Sequence, residues 1–507
     1  MLSLACRNTN KLIRAKSKAD NVRLGRLFTK KETALLMANL FVLRQDKTTY
    51  TILDPGAGTG ILSAAVIERI CREVPGCRQI FITCYETDPL FLPLLQDNLE
   101  RIRKKARHDY DVKLFVTVYD ENYIVDSKNH YTVNFFHTVE DTFDLIICNP
   151  PSGLCDKASD EAEVAGGVTQ VKINEAFLFA RMASRHLEPG GQFVTLLPTI
   201  VATASQLTAF RREMNEKLSI IKLHLFIGKQ KNEKRAIPLK KNIIVAYANS
   251  EKPENITITT STDNGTPDNI VSLPPLSYDF IVNPKDGTLT LPKSVEDTRI
   301  VRHIADLPET LSSLGLRMCT GLILDSRCEG LLFSEPTDGA VPLIRPASLG
   351  ADGSVTHPVP GVRHQFIAPV SRSLVQKNKN MLLIKRVPAG SDERLINAAV
   401  YMAATQPGYR YISTHNKINF IDTKAENEEM TPRLVFGLFC LLHSTIYDRY
   451  VSIVNKSRQI NAKEFRNLPL PPRNLIENMG MRLMDARSTS VKTCDSIVNL
   501  SLHIIEK

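Results

Sequence analysis

Tyr50-Thr51-Ile52-Leu53-Asp54-Pro55-Gly56-Ala57-Gly58-Thr59-Gly60 is the stretch on which the fold turns. Residues 50–54 read as a buried strand, three alternate glycines follow, and ILSAAVIERICREV (61–74) carries helical apolar spacing. Strand, glycine turn and helix in that order open a doubly wound α/β unit, and the glycines let backbone turn tightly and approach a ligand. The order D-x-G-x-G-x-G differs from the dinucleotide fingerprint G-x-G-x-x-G, and it lacks the Lys-Ser/Thr pair of a phosphate loop. An acidic strand end suits an amino or ammonium group better than a pyrophosphate.

The alternation continues outward. QIFITCYETD (79–88), KLFVTVYD (113–120), FDLIICN (143–149) and QFVTLLP (192–198) read as strands. LSIIKLHLFI (218–227) and NIIVAYA (242–248) read as a closing pair, with helical patterns at 89–107 and 174–187. A parallel, Rossmann-like sheet places ligands at the carboxyl ends of its strands. Glu86 and Asp88 end the second strand, where a carboxylate can accept both hydroxyls of a ribose; Asp120 ends the third, where it can accept from an aromatic amine. One acidic strand end is usually a cap or a solvated turn, but three in succession on one edge are not explained that way. The fourth strand ends in Asn149-Pro150-Pro151-Ser152. Two prolines remove two N–H donors and leave carbonyls as the backbone partners. The Asn149 side-chain oxygen and the Pro150 carbonyl can then accept from a single NH2 group.

The second half reads differently. Residues 251–300 are rich in Pro, Asn, Asp, Ser and Thr, which predicts a linker and divides the chain into domains of 1–255 and 256–507. Short strands at 342–349 and 380–387 and one long helix over 433–454 predict an α+β second domain. With 43% apolar and 23% charged residues the chain is globular rather than disordered. The net charge of +10 suits an anionic partner. The ten cysteines form no C-x2-C pair and no zinc spacing with histidine, so no metal is expected. That usage, with a longest apolar run (434–442) of about half a bilayer span, predicts a soluble, cytoplasmic protein.

Taken in order, Gly25-Arg26-Leu27-Phe28-Thr29, the glycine loop, Glu86, Asp120 and Asn-Pro-Pro-Ser resemble the amino-methyltransferases of DNA in the γ arrangement of adenine-N6 enzymes, found in type II restriction-modification systems. The resemblance implies an S-adenosylmethionine-dependent catalytic domain followed by a target-recognition domain. It implies a cofactor site of Thr29, Asp54, Gly56, Ala57, Gly58, Gly60, Glu86, Asp120 and Asn149, and a catalytic segment of Asn149, Pro150, Pro151 and Ser152. It implies double-stranded DNA as partner, a target base flipped from the duplex, and a companion restriction endonuclease from which host DNA is protected. Asparagine at position 149 favours adenine over cytosine. Within the class the chain resembles the PstI and BsuBI modification-enzyme group, which would imply the palindrome CTGCAG.

One departure stands out: the family has an aromatic residue after Asn-Pro-Pro, and this chain has Ser152. Phe226 or Ile237 is then the candidate to stack on the base. The loop residues Lys229, Lys231, Lys234 and Arg235 and the basic first 31 residues are candidate phosphate contacts. Arg345, Lys456, Arg458 and Gln459 are candidate base readers in the second half. The alternatives are an RNA or protein-glutamine methyltransferase, which share Asn-Pro-Pro, and a non-enzymatic DNA specificity protein. No nuclease constellation is apparent in the chain.

Overall fold

The computed structural model describes residues 1–14, 28–126, 142–151, 153–155, 159–161, 173–228, 241–368, 371–388, 394–455 and 459–503. They form two compact units, Met1–Val295 and Glu296–Lys507.

In the first unit, helix α1 (Leu2–Arg14) and helix α2 (Lys31–Asn39) precede strand β1 (Thr49–Asp54). Then come α3 (Ile61–Glu73), β2 (Gln79–Tyr85), α4 (Leu92–Tyr110), β3 (Lys113–Tyr119) and β4 (Phe143–Cys148). A two-residue pair, β5 (Leu154–Cys155) and β6 (Ile173–Asn174), leads into α5 (Glu175–Ala183) and β7 (Leu187–Pro198). Strands β8 (Ser219–Phe226) and β9 (Asn242–Ala248) follow. With β10 (Asn255–Ser261) and β11 (Ile270–Ser272), the sheet runs β11-β10-β8-β9-β7-β4-β1-β2-β3. β4, β1, β2, β3 and β7 are parallel neighbours, whereas β9 runs antiparallel to both β7 and β8. Strand order reverses between β1 and β4, and that reversal opens a crevice at the carboxyl edge.

Local sequence explains these elements. Nearly every residue of α3 through Ile67 is buried, because the helix lies under α1, α2 and α4 on one sheet face. Each large side chain so buried contributes about 1.5–3 kcal/mol. The span expected to be a linker is instead ordered sheet. β10 (Asn255–Ser261) pairs parallel with β8, and β11 (Ile270–Ser272) and β12 (Leu276–Ser277) pair with β10. Its sequence, NITITTS, buries Ile256 and Ile258, and β-branched threonine fits a pleated strand despite its polarity. The first unit therefore ends at Val295 rather than near 255.

The second unit contains β13 (Leu316–Thr320), β14 (Leu332–Phe333), β15 (Val341–Ile344), β16 (Phe366–Ile367), β17 (Gln376–Lys377), β18 (Met381–Lys385), β19 (Ala398–Tyr401), β20 (Tyr411–Thr414) and β21 (Ile418–Thr423). An antiparallel sheet of order β13-β21-β18-β19 is accompanied by a sheet of short strands, β14-β16-β15-β20-β17. The single long helix expected over 433–454 is two, α6 (Pro432–His443) and α7 (Thr445–Val454). Ser444 takes an extended conformation between them, and its hydroxyl accepts from Tyr447 N–H as an N-cap. α6 packs closely on α8 (Arg473–Ala486) through Gly437 and Gly480, where a side chain on either would strike the other helix's backbone. Eight of the ten cysteines are buried and all ten are free thiols. No helix among the described residues is long and apolar enough to cross a membrane.

Candidate functional site

The carboxyl edge of the first sheet holds a cavity of about 900 Å³. Its lining comes from the glycine loop (Pro55, Gly56, Gly58), the end of β2 (Tyr85–Asp88), the segment after β3 (Glu121–Ile124) and Asn149–Pro151. Phe28, Phe91, Phe179, Glu175, Pro198, Lys241 and Asn242 are among the other residues of its wall.

The loop is shaped by its own backbone and held from behind. Ala57 N–H donates to the Tyr85 carbonyl and Gly60 N–H to that of Ala57. Gly60 caps α3 at φ +82°, and a Cβ there would sit 2.9 Å from Leu95. Behind the loop, the Thr59 hydroxyl bonds that of Thr9 on α1 at 2.7 Å, and Asn98 on α4 donates to the Thr59 carbonyl at 2.9 Å. Residues 2–14 of the basic N-terminal stretch are thus a packed helix, with Leu2, Ala5 and Thr9 turned inward. Arg7, Lys11 and Arg14 remain exposed on its outer face.

Glu86 ties the loop to the second strand. One carboxylate oxygen accepts from Gly58 N–H and the other from Asp88 N–H, each at 2.7 Å. Burial raises its affinity for a proton, and the two amides oppose that. Asp54 lies beneath the loop, fully buried, and is not part of the cavity wall. The Ser63 hydroxyl donates to one of its oxygens at 2.6 Å, while the other has no partner among the described residues. Burial pushes Asp54 up to about 7; the neighbouring Glu86 charge acts in the same direction and the Ser63 hydrogen bond against it.

Across the cavity, the Asn149 amide nitrogen donates to the Thr29 hydroxyl at 2.9 Å. This contact fixes the amide. Its NH2 is turned to Thr29, and among the described residues no donor occupies its oxygen. The hydroxyl can donate as well as accept, so the contact fixes the position of the amide, and the orientation with Nδ2 toward Thr29 leaves Oδ1 open to a donor in the cavity. Two residues from one sequence motif each, 120 positions apart, meet at this bond.

Most of the expected residues converge. Thr29, Gly56, Gly58, Glu86, Asn149, Pro150 and Pro151 lie in or against the cavity wall, with Ala57 and Gly60 shaping the loop. Asp120 does not join them: it is exposed and outside the wall, because the chain turns after β3 and presents Glu121 to Ile124 instead. Phe226 is also elsewhere. It is 6% exposed, in the hydrophobic core, edge-on to the His224 ring. As the last residue of a strand flanked on both sides, it packs inward and offers no face to a base. Gly25, Arg26, Leu27, Ser152, Lys229, Lys231, Lys234, Arg235, Ile237, Lys456 and Arg458 lie outside the described residues. In the second unit Arg345 is engaged: its guanidinium grips Asp325 in a two-pronged pair at 2.8 and 3.2 Å and donates to the His364 carbonyl. Gln459 is likewise occupied: its side-chain amide lies against the Arg386 guanidinium, which has only donors and so takes the carbonyl on that side.

The aromatic wall was missed from sequence. Phe28 and Phe91 meet edge to face at 4.9 Å, Tyr85 and Tyr119 stack at 4.9 Å, and Tyr123 lies 5.8 Å from Phe179. Phe91 and Tyr123 each follow an acidic strand end by a few residues, a spacing that carries no signal until the edge is assembled. Flat apolar rings beside paired carboxylates and a glycine loop fit a nucleoside that carries a positive charge.

No protein-family model matches the chain. Two curated relatives match it along nearly its whole length. It is 26% identical to the type II methyltransferase M.PstI of Providencia stuartii, over 95% of this chain and 94% of that protein. It is 24% identical to the type II methyltransferase M.BsuBI of Bacillus subtilis, over 93% of this chain and 91% of that protein. The expected likeness to that group is therefore found. Among solved structures, the type IIG restriction endonuclease BpuSI aligns at a TM-score of 0.46 and 13% identity, covering 98% of this chain and 68% of its own. The type IIL restriction-modification enzyme MmeI in complex with DNA aligns at 0.42 and 12%, covering 100% and 74%.

Proposed function

We propose that this chain, like the two methyltransferases it resembles from end to end, is a modification enzyme of a restriction-modification system. It transfers a methyl group from S-adenosylmethionine to the N6 amine of an adenine flipped from duplex DNA. The first unit is the catalytic domain and the second reads the target. S-adenosylmethionine supplies an electrophilic methyl group on a sulfonium, so the protein needs no covalent intermediate of its own.

The reading is carried by the oriented amide of Asn149. The exocyclic nitrogen of adenine is a weak nucleophile because its lone pair is delocalised into the ring. Asn149 Oδ1 and the Pro150 carbonyl accept its two hydrogens, which favours a pyramidal nitrogen with its lone pair turned toward the cofactor. With Nδ2 donating to Thr29, the oxygen of the amide faces the amine. The glycine loop gives the cofactor backbone contact, and Glu86 keeps lone pairs for ribose hydroxyls beyond those its two amides use. The aromatic rings at the cavity offer flat apolar faces against which a nucleoside can stack. Alignment and a dry, polarised site are the main contributions such chemistry requires.

The test is incubation of the full chain with methyl-labelled S-adenosylmethionine and unmodified plasmid DNA, in parallel with total RNA. Label in N6-methyladenine within DNA, with CTGCAG sites becoming resistant to a nuclease that cuts there, is the expected result. Label in N4-methylcytosine would refute the base, protection at another sequence would refute the site, and incorporation into RNA alone would refute the substrate.

A further inference from the structure

In the second unit, Arg345 and Gln459 are already engaged by neighbours within the fold. One end of its antiparallel sheet gathers four segments. Thr320 of β13 lies opposite Asn419 of β21, and Lys385 of β18 lies opposite Ile418. Beyond the strands the ladder continues, with Arg386 N–H donating to the Lys417 carbonyl at 2.8 Å and Gly321 N–H to that of Ile418 at 2.8 Å. Ile460 N–H then donates to the Arg386 carbonyl at 2.8 Å, which draws the 459–461 segment alongside. The end is therefore a rigid platform of backbone, not a set of independent loops.

Its surface has a definite character. Lys417 is exposed, and Arg386 is partly exposed. With its carbonyl facing Arg386, Gln459 accepts from Nε at 2.6 Å and from Nη2 at 2.5 Å. That grip orients the guanidinium before any ligand arrives and uses no charge to do so. Leu322, Leu324 and Val387 stand out beside these cations, Val387 at 53% exposure. The adjoining carboxylate, Asp325, is already neutralised by Arg345. At the opposite end of the same sheet, exposed Glu426, Glu428 and Glu429 follow β21 and share the surface with Lys377 and Lys424. Oriented cations among exposed apolar side chains match a groove of nucleic acid, with phosphates along its rim and base edges and methyl groups on its floor.

We propose that this end of the second unit is the surface that docks duplex DNA, with Arg386 and Lys417 as its contacts in place of Arg345. The assignment rests on the methyltransferase reading above. Its test measures the binding of the full chain to a fluorescent CTGCAG duplex across a range of salt, for wild type, Lys417→Ala, Arg386→Gln and the double variant. The double variant should bind at least tenfold more weakly. Its slope of log affinity against log salt should fall by about one for each phosphate contact removed. Binding of S-adenosylmethionine by calorimetry should be unchanged in the same variants, and Lys424→Ala, at the far end of the sheet, should bind duplex as wild type does. Because Lys417 is exposed, Lys417→Ala decides the matter if Arg386→Gln lowers thermal stability. Wild-type affinity and slope in Lys417→Ala and in every well-folded Arg386 variant would overturn this assignment while leaving the methyltransferase reading intact. A wild-type protein that methylates no DNA would overturn both.

Discussion

Thr29→Val probes the bond on which the proposed chemistry depends. Valine keeps the volume and β-branching of threonine and deletes only the hydroxyl that accepts from Asn149. The loss has two parts. One is a part-buried hydrogen bond, about 1 kcal/mol. The other is the freedom of the amide to turn its NH2 toward the substrate amine, where it would repel rather than accept. Together they amount to about 1–2 kcal/mol, which corresponds to a five- to thirtyfold fall in the methyl-transfer step. Removing the whole amide, as in Asn149→Ala, should cost far more, about 10²–10³-fold, by analogy with deleting one preorganised polar group from an active site. The assay is single-turnover transfer of labelled methyl to unmodified plasmid DNA at saturating cofactor, with cofactor affinity measured separately by calorimetry. Thr29→Ser should retain most of the rate because it keeps the hydroxyl. An unchanged rate in Thr29→Val, or an equal loss in Thr29→Ser, would refute the view that this hydroxyl orients the amide.

Further outcomes follow from the same geometry. Asn149→Ala should bind S-adenosylmethionine within a few-fold of wild type while losing turnover; parallel loss of both would make Asn149 a structural residue. Asp54 should impose a pH dependence on stability. Its unfolded value is near 3.9 and its folded value about 7, so the folded state favours the protonated form. That contribution is fully present below about pH 4 and is lost as pH rises through 7, up to about 4 kcal/mol in all. Thermal melts should therefore show wild type losing more stability than Asp54→Asn between pH 5 and 8, and parallel curves would count against a titrating Asp54. Gly60→Ala places a Cβ at φ +82° and 2.9 Å from Leu95. It should cost about 1–2 kcal/mol of stability, measured by denaturant unfolding, and weaken cofactor binding; an undisturbed variant would mean that the loop can adopt another turn.

By itself the sequence determined the alternating strands and helices, the glycine loop, Glu86 and Asn149-Pro150-Pro151. These are local signals: a period of two or 3.6, glycines where the backbone must turn, prolines that delete donors. It failed where the answer depends on what lies across the fold. NITITTS reads as polar linker, yet it is a strand because β8 offers it an edge. Asp120 ends a strand as Glu86 does, but the chain leaves β3 in a direction that carries it out of the cavity. Phe226 and Arg345 have side chains suited to a base, and tertiary neighbours have already claimed both, the core in one case and Asp325 in the other. Only the assembled structure brings Thr29 to Asn149 and Gln459 to Arg386, because a hydrogen bond between distant segments depends on geometry that no run of residues encodes alone.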